Sequence, residues 1–497
     1  MLKPLITIDN WDNGMSLNDR VASKGQLARG SGLEQFLRNG YLANRVGVTR
    51  LTLSSSVDVN VVFNDILYSQ EASTVYLAGG DTIIYSQNSS GTIASARDSA
   101  QAGGIRSLIE YKGYMYYPQD TTIGRSDLAG SPTYTDNWQA SNIQNVAYKP
   151  LVVGADNNLY IGNGQYVAKW DDSTFTYNAF DMGTGWEVQC MANFDSPLLA
   201  IGANFGSSTS GINSTQCKIF LWNKTEPFIA ESTIDIPEAS IFAMISRPNG
   251  LWVWAGTNSV SIYYCPSGSR QPIKVYTFEN DNPDDYQLQV FPNAVTVNEG
   301  RIVFGLTFNS SASNQFVPGI YSFNPELNNF RLMCERGIVA GVTGQVNIKS
   351  LRAIRYTGQP SMLYFSYENG TTQNIYREQL FSSDSNTFSS NGSFSDGTAE
   401  TLYFDAPAGK KLYFDGFGMD FLPLTSSAGI SLEYKKDAET SYTAVKSVTG
   451  SGTEIGFYKT QPVEAYTIKF RITISSTSTR TFIKRFFATG KLIDDTR

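Results

Sequence analysis

The chain has 497 residues, of which 41% are hydrophobic, 13% aromatic and only 17% charged, and it contains 43 glycines, 18 prolines and no histidine. That length exceeds one ordinary domain, and the missing histidine removes Ser-His-Asp and Cys-His nucleophile pairs, histidine-ligated zinc and the usual proton shuttle near neutral pH. A net charge of −7 argues against the chain as a whole condensing on nucleic acid or anionic lipid through charge.

With 28 Tyr and 29 Phe beside abundant Gly, the composition favours strands and turns, so the expected class is all-β. Residues 1–54 read as an extended N-terminal arm. Gly14, Gly25, Gly30, Gly32, Gly40 and Gly47 interrupt every periodic pattern there, although Gly32 to Leu42 has room for a short helix. Lys3, Arg20, Lys24, Arg29, Arg38, Arg45 and Arg50 outnumber the arm's acids, giving about +3 against about −10 for the remainder. Such an arm on an acidic body is expected to cross a neighbouring surface; the alternative is a strand and loops wrapped over its own domain. The start of the chain has no basic region followed by an apolar one, and no apolar run is long enough for a membrane-spanning helix, so synthesis and folding in a cytoplasm are expected.

From about 55 to 395 a unit recurs: a short aromatic or aliphatic strand, a turn, and a second strand. The copies are TVYLAGGDTIIYSQ from Thr74, YMYYPQDTTIGRSD from Tyr114, NLYIGNGQYVAKWD from Asn158, LLAIGANF with CKIFLWN, LWVWAGTNSVSIYY from Leu251, RIVFGLTF with GIYSFN, and MLYFSYENGTTQNIYRE from Met362. Their centres recur about every 40 residues at first and every 50 to 60 later, the span of a four-stranded propeller blade with insertions. The expectation is a β-propeller of about seven blades. Trp170-Asp171, Trp222-Asn223 and Phe323-Asn324 read as strand ends entering turns rather than as a family signature. The four cysteines, Cys190, Cys217, Cys265 and Cys334, stand far apart and read as small buried hydrophobes, with a disulfide between some pair left open.

Within this region FENDNPDDYQ crowds Glu279, Asp281, Asp284 and Asp285 on one loop. The spacing lacks the order of an EF-hand, so a solvated acidic loop is expected before a calcium site. No pair of carboxylates stands out for glycoside hydrolysis, and Trp11, Trp138 and Trp186 fit packing better than sugar stacking. Neither a catalytic residue nor a cofactor nor a metal is expected. After the polar stretch from Ser382 to Gly397, about seven alternating strands over 396–497 give the size and pattern of a β-sandwich or jelly roll.

The arm carries one further signal. An aromatic-x-x-Gly-hydrophobic stretch from Trp11 to Ser16 and GYLANRVGVTR from Gly40 to Arg50 resemble the openings of tailed-bacteriophage virion proteins with a β-propeller body. The resemblance implies a structural component of the tail or head-to-tail region (a hub, nozzle, tail-tip or stabilising ring), present in several copies around the DNA channel. It implies partners among other tail or connector proteins, passage of DNA during genome ejection without sequence-specific binding, no membrane insertion, and a place in the virion after assembly in the host cytoplasm. The residues expected to dock the arm are Trp11, Gly14, Arg20, Arg29, Arg38, Arg45 and Arg50. A tail protein that binds a host-surface receptor or glycan is the alternative; an enzyme is not expected.

Overall fold

The structure, a computed structural model, describes residues 4–8, 27–31, 33–34, 42–44, 49–54, 57, 61, 63–80, 83–88, 91–98, 104–128, 132–206, 214–278, 288–309, 318–326, 330–337, 345–356, 361–369, 372–378, 397–401, 403–424, 428–450, 454–475 and 481–495. Among them every regular element is a β-strand.

Five four-stranded antiparallel sheets follow one another along the chain, at 63–98, 109–139, 151–181, 186–235 and 240–278. A sixth unit pairs Val295–Asn298, Arg301–Asn309, Gly319–Phe323 and Leu332–Gly337 in order. The seventh pairs Gln345–Ile354, Met362–Asn369 and Thr372–Glu378, and its outer strand is Thr49–Arg50 from the beginning of the chain. All seven repeats found in the sequence fall on the second and third strands of these units. The physical reason is burial on both faces. Leu159–Asn163, Gly250–Gly256 and Gly319–Phe323 are buried at every position, so they read as continuous apolar runs. The fourth strands, such as Phe175–Asp181 and Ile273–Phe278, are mostly half-buried and carry a diluted pattern.

Neighbouring units pack face to face, and each contact has its own apolar cluster. Tyr76 and Ala78 meet Met115 and Tyr117; Tyr116 and Ile123 meet Leu159 and Ile161; Val167 and Phe180 meet Val188 and Trp222. Ile219 and Leu221 meet Leu251 and Val253, Trp252 and Trp254 meet Phe304 and Phe323, and Val303 and Ile320 meet Leu363 and Phe365. Ile354, Tyr364 and Ile375 then meet Phe63, Leu77 and Tyr85, so the last unit closes on the first. Polar groups support the closure: Ser350 and Ser366 hydroxyls each donate to the Phe63 carbonyl at 3.0 Å. The Leu51 amide donates to Ile375 at 3.0 Å, and Leu53 bridges Ile93 in the first unit. This is the arrangement of a β-propeller, and each large side chain buried within it contributes about 1.5–3 kcal/mol.

Two six-stranded sheets lie beyond the propeller and share one core. Phe414, Phe417, Met419 and Phe486 from one sheet meet Ile430, Leu432, Phe470 and Ile472 from the other. Met333, from the outer strand of the sixth unit, joins this core and ties the two regions together. The arm contributes to both sheets. Pro4–Ile8 and Leu42–Asn44 pair with Phe482–Asp494, and Leu27–Ser31 pairs with Gly397–Thr401, with Ile6 and Ile8 buried in the shared core. In the stretch with room for a short helix, Leu33–Glu34 is a strand paired with Leu42–Asn44, and 35–41 lie outside the described residues. The four cysteines are free and buried, and burial pushes the Cys217 and Cys265 thiols up to about 12, which agrees with their reading as small hydrophobes.

Candidate functional site

Residues from the first, second, third and seventh units converge on or just before their first strands. The segment 288–294, between the fifth and sixth units, runs across these inner edges. Leu288–Gln289 pairs with Arg301–Asn309, the Leu288 amide donates to Asn258, and the Leu351 amide donates to the Asn293 carbonyl at 2.9 Å. The Asn293 side-chain amide donates to Asn64 at 3.0 Å and to Arg106 at 3.2 Å, and Gln289 Nε2 donates to the Tyr148 hydroxyl at 3.2 Å. The segment therefore ties together inner edges that lie far apart in sequence. It leaves a cavity of about 140 Å³ lined by Asn64, Arg106, Tyr148, Phe291, Asn293 and Lys349 among others.

The cavity's charge is unusual for a chain of net charge −7. Arg106 pairs with Asp120, but its Nε is buried without a hydrogen-bond partner. Lys149, buried behind the cavity, donates to the carbonyls of Gln144 and Asp120; burial, reinforced by Arg106, lowers its pKa to about 8. Lys349 is also lowered, by burial first, with Glu368 opposing the shift and Arg106 adding to it, and its Nζ lies 5.8 Å from the centre of the Phe291 ring. Nearby, Asp65 accepts from the amides of Ile66 at 2.8 Å and Leu108 at 2.9 Å. Burial nevertheless raises its carboxyl to about 6 against the pull of Arg352. Glu187 is likewise raised by burial.

None of these residues was singled out by the sequence. Asp65, Lys149, Glu187 and Lys349 lie on or just before the first strands, whereas the repeat is legible in the second and third. Aligning the copies on the first strands would have exposed one ionisable residue near the start of several units.

The residues that were singled out lie elsewhere. Trp11, Gly14, Arg20, Arg38 and Arg45 fall outside the described residues, as do Glu279, Asp281, Asp284 and Asp285. Arg29 and Arg50 are on strands paired with Glu400 and Tyr376 of this same chain. Trp138 packs against Trp170 at 4.9 Å and Tyr116 at 5.2 Å, and Trp186 against Phe205 and Phe220 at 5.2 Å, so both serve packing. Asp171 accepts from Ser173 and Thr174 in the turn after Trp170, and those bonds, the Ser173 hydroxyl first, hold its carboxyl down at about 2. Among the described residues no cluster of three or more metal-ligating side chains is found, and no helix is long and apolar enough to cross a membrane.

No family model and no curated protein matches the chain. Among solved structures, a catalytically inactive virginiamycin B lyase from Staphylococcus aureus with quinupristin is 13% identical, covers 67% of this chain and 100% of its own, and has a TM-score of 0.45. A streptogramin B lyase is 12% identical over 67% of this chain and 98% of its own, with a TM-score of 0.43. A chain of a mitotic checkpoint complex is 13% identical over 68% and 92%, with a TM-score of 0.44. Likenesses this distant carry no argument about activity, substrate or partner.

Proposed function

We propose that the chain is a structural protein of a tailed-bacteriophage virion, a hub, nozzle, tail-tip or stabilising ring component that works in several copies around the DNA channel. In this reading the seven four-stranded units are the blades of one seven-bladed propeller, and the two C-terminal sheets form a β-sandwich. The observation that carries the reading is the path of the segment that holds the sequence resemblance. Between Gly40 and Arg50 it places Leu42–Asn44 in a C-terminal sheet and Thr49–Arg50 in the seventh unit, so one stretch ties both regions into a single block. A rigid block with its ends locked suits a particle component that must transmit force without unravelling.

The same geometry limits how DNA would pass. A cavity of about 140 Å³, crossed by 288–294, has no room for a duplex whose major groove alone is about 12 Å wide. In this reading the channel is formed by a ring of copies. An acidic net charge of −7 would keep the genome from adhering to such a ring. Of the arm's arginines, Arg20, Arg38 and Arg45, outside the described residues, remain the candidates for contact with a neighbouring subunit.

The test compares assembly with adsorption. Deleting the gene from its phage is expected to yield incomplete particles, while the purified protein neither adsorbs to host cells nor blocks infection. Complete particles from the deletion, or competition with infection by the free protein, would overturn the structural role in favour of none or of a receptor-binding one.

A further inference from the structure

The cavity at the inner edges of the propeller has the features of a ligand site that the structural role does not use. Its charged lining is cationic. Arg106 presents a buried Nε with no acceptor, and Lys349 stands beside it closely enough for Arg106 to disfavour its charge. Lys149 lies behind, under the same influence. Carboxylates offset part of this charge from outside the cavity: Asp120 and Glu187 favour the charged form of Lys149, and Glu368 favours that of Lys349. Each of these carboxylates also has its own contact: Asp120 pairs with Arg106, Glu368 accepts from Asn347 at 3.0 Å, and Glu187 accepts an amide hydrogen bond from Ala147. None of the three lines the cavity.

The lining also offers the right partners for an oxyanion. The Arg106 guanidinium and the Lys349 ammonium are donors with no acceptor function, and the Tyr148 hydroxyl, which accepts from Gln289, has a proton to give. The Asn64 and Asn293 amides are committed to backbone carbonyls of Ile105, Asn64 and Arg106, which fixes the wall rather than the ligand. A volume of about 140 Å³ admits one small group and excludes a sugar chain or peptide. We propose that this cavity binds a small oxyanion of the phosphate class, with Arg106 and Lys349 as its charged ligands and Tyr148 as a neutral donor.

This goes beyond the virion role and is tested without particles. Isothermal titration of the purified full chain with inorganic phosphate at low ionic strength should show one site per chain. The melting temperature should rise by about 1–2 °C at ten times the dissociation constant, measured against chloride at equal ionic strength. K349M and R106Q should each weaken binding about tenfold or more, as expected for loss of a charge-assisted hydrogen bond. K349M carries a second, opposite signature: it removes a disfavoured charge, so the phosphate-free protein should melt no lower than wild type. Glycerol phosphate in place of inorganic phosphate shows whether the site takes a free ion only or a phosphate carried on an organic group. Absence of any phosphate effect beyond chloride in the wild-type protein, or unchanged binding in both variants, would overturn the proposal. The wild-type titration decides the matter even if R106Q does not fold.

Discussion

The side-chain amide of Asn293 donates to the backbone carbonyl of Asn64 at 3.0 Å, across a sequence separation of 229 residues. A second bond from the same nitrogen reaches Arg106 at 3.2 Å, so one side chain pins the crossing segment to the first unit and to the start of the second. Asn293→Ala leaves both carbonyls without this donor, and a loss of about 1–3 kcal/mol is expected. Urea unfolding with an unchanged slope and a lowered midpoint would show it. A midpoint equal to wild type would mean that the crossing segment is not held by this contact.

Asp65 gives the protein a pH dependence of definite sign. Its folded carboxyl titrates at about 6 against an ordinary 3.8, chiefly because it is buried. Between those values the folded chain holds a proton that the unfolded chain has released. The stability Asp65 contributes is therefore complete below about pH 4 and lost as pH rises through about 6, an amount of order 3 kcal/mol. Midpoints measured from pH 4 to 7 should fall for wild type relative to D65N, which has no proton to lose. Parallel curves for the two proteins would rule out Asp65 as the titrating group.

Close approach between the sixth and seventh units depends on a residue without a side chain. A Cβ on Gly305 would lie 2.5 Å from Ile348 Cγ2, and Ile348 is itself buried between the units. Gly305→Ala should cost about 1–3 kcal/mol through overpacking. In an Ile348→Ala background, which lacks the clashing Cγ2, part of that loss should be recovered. No recovery would place the strain elsewhere.

Much of the propeller was legible because its second and third strands are buried on both faces; Leu251, Val253 and Trp254 stand in an unbroken run for that reason. The pairing of Thr49–Arg50 with Thr372–Glu378 was not, since a two-residue strand has no period and its partner lies more than 300 residues away. For the same reason the first 50 residues read as an arm whose course, over a neighbour or over its own domain, stayed open; Ile6 and Ile8 are core residues of the C-terminal sheets. The cavity was hidden because Arg106, Tyr148 and Lys349 are single residues from separate units, and only ring closure brings them together.

The arm's pairing changes how its role is to be tested. Removing residues 1–50 deletes strands from three sheets at once, so the shortened chain is expected to lose stability and become protease-sensitive, which says nothing of docking. Charge reversal at Arg20, Arg38 and Arg45 changes no residue of the described strands. The triple variant should keep a cooperative melt yet fail to enter particles. Normal incorporation of that variant would show that these arginines do not dock.

The most direct measurement is the position and copy number of this chain in a purified particle, read from a cryo-electron microscopy map. The account predicts a ring of several copies at the tail or the head-to-tail junction, each with its propeller axis closed and the DNA channel running between copies. Particles that lack the chain, or that carry a single copy away from the DNA channel, would contradict it.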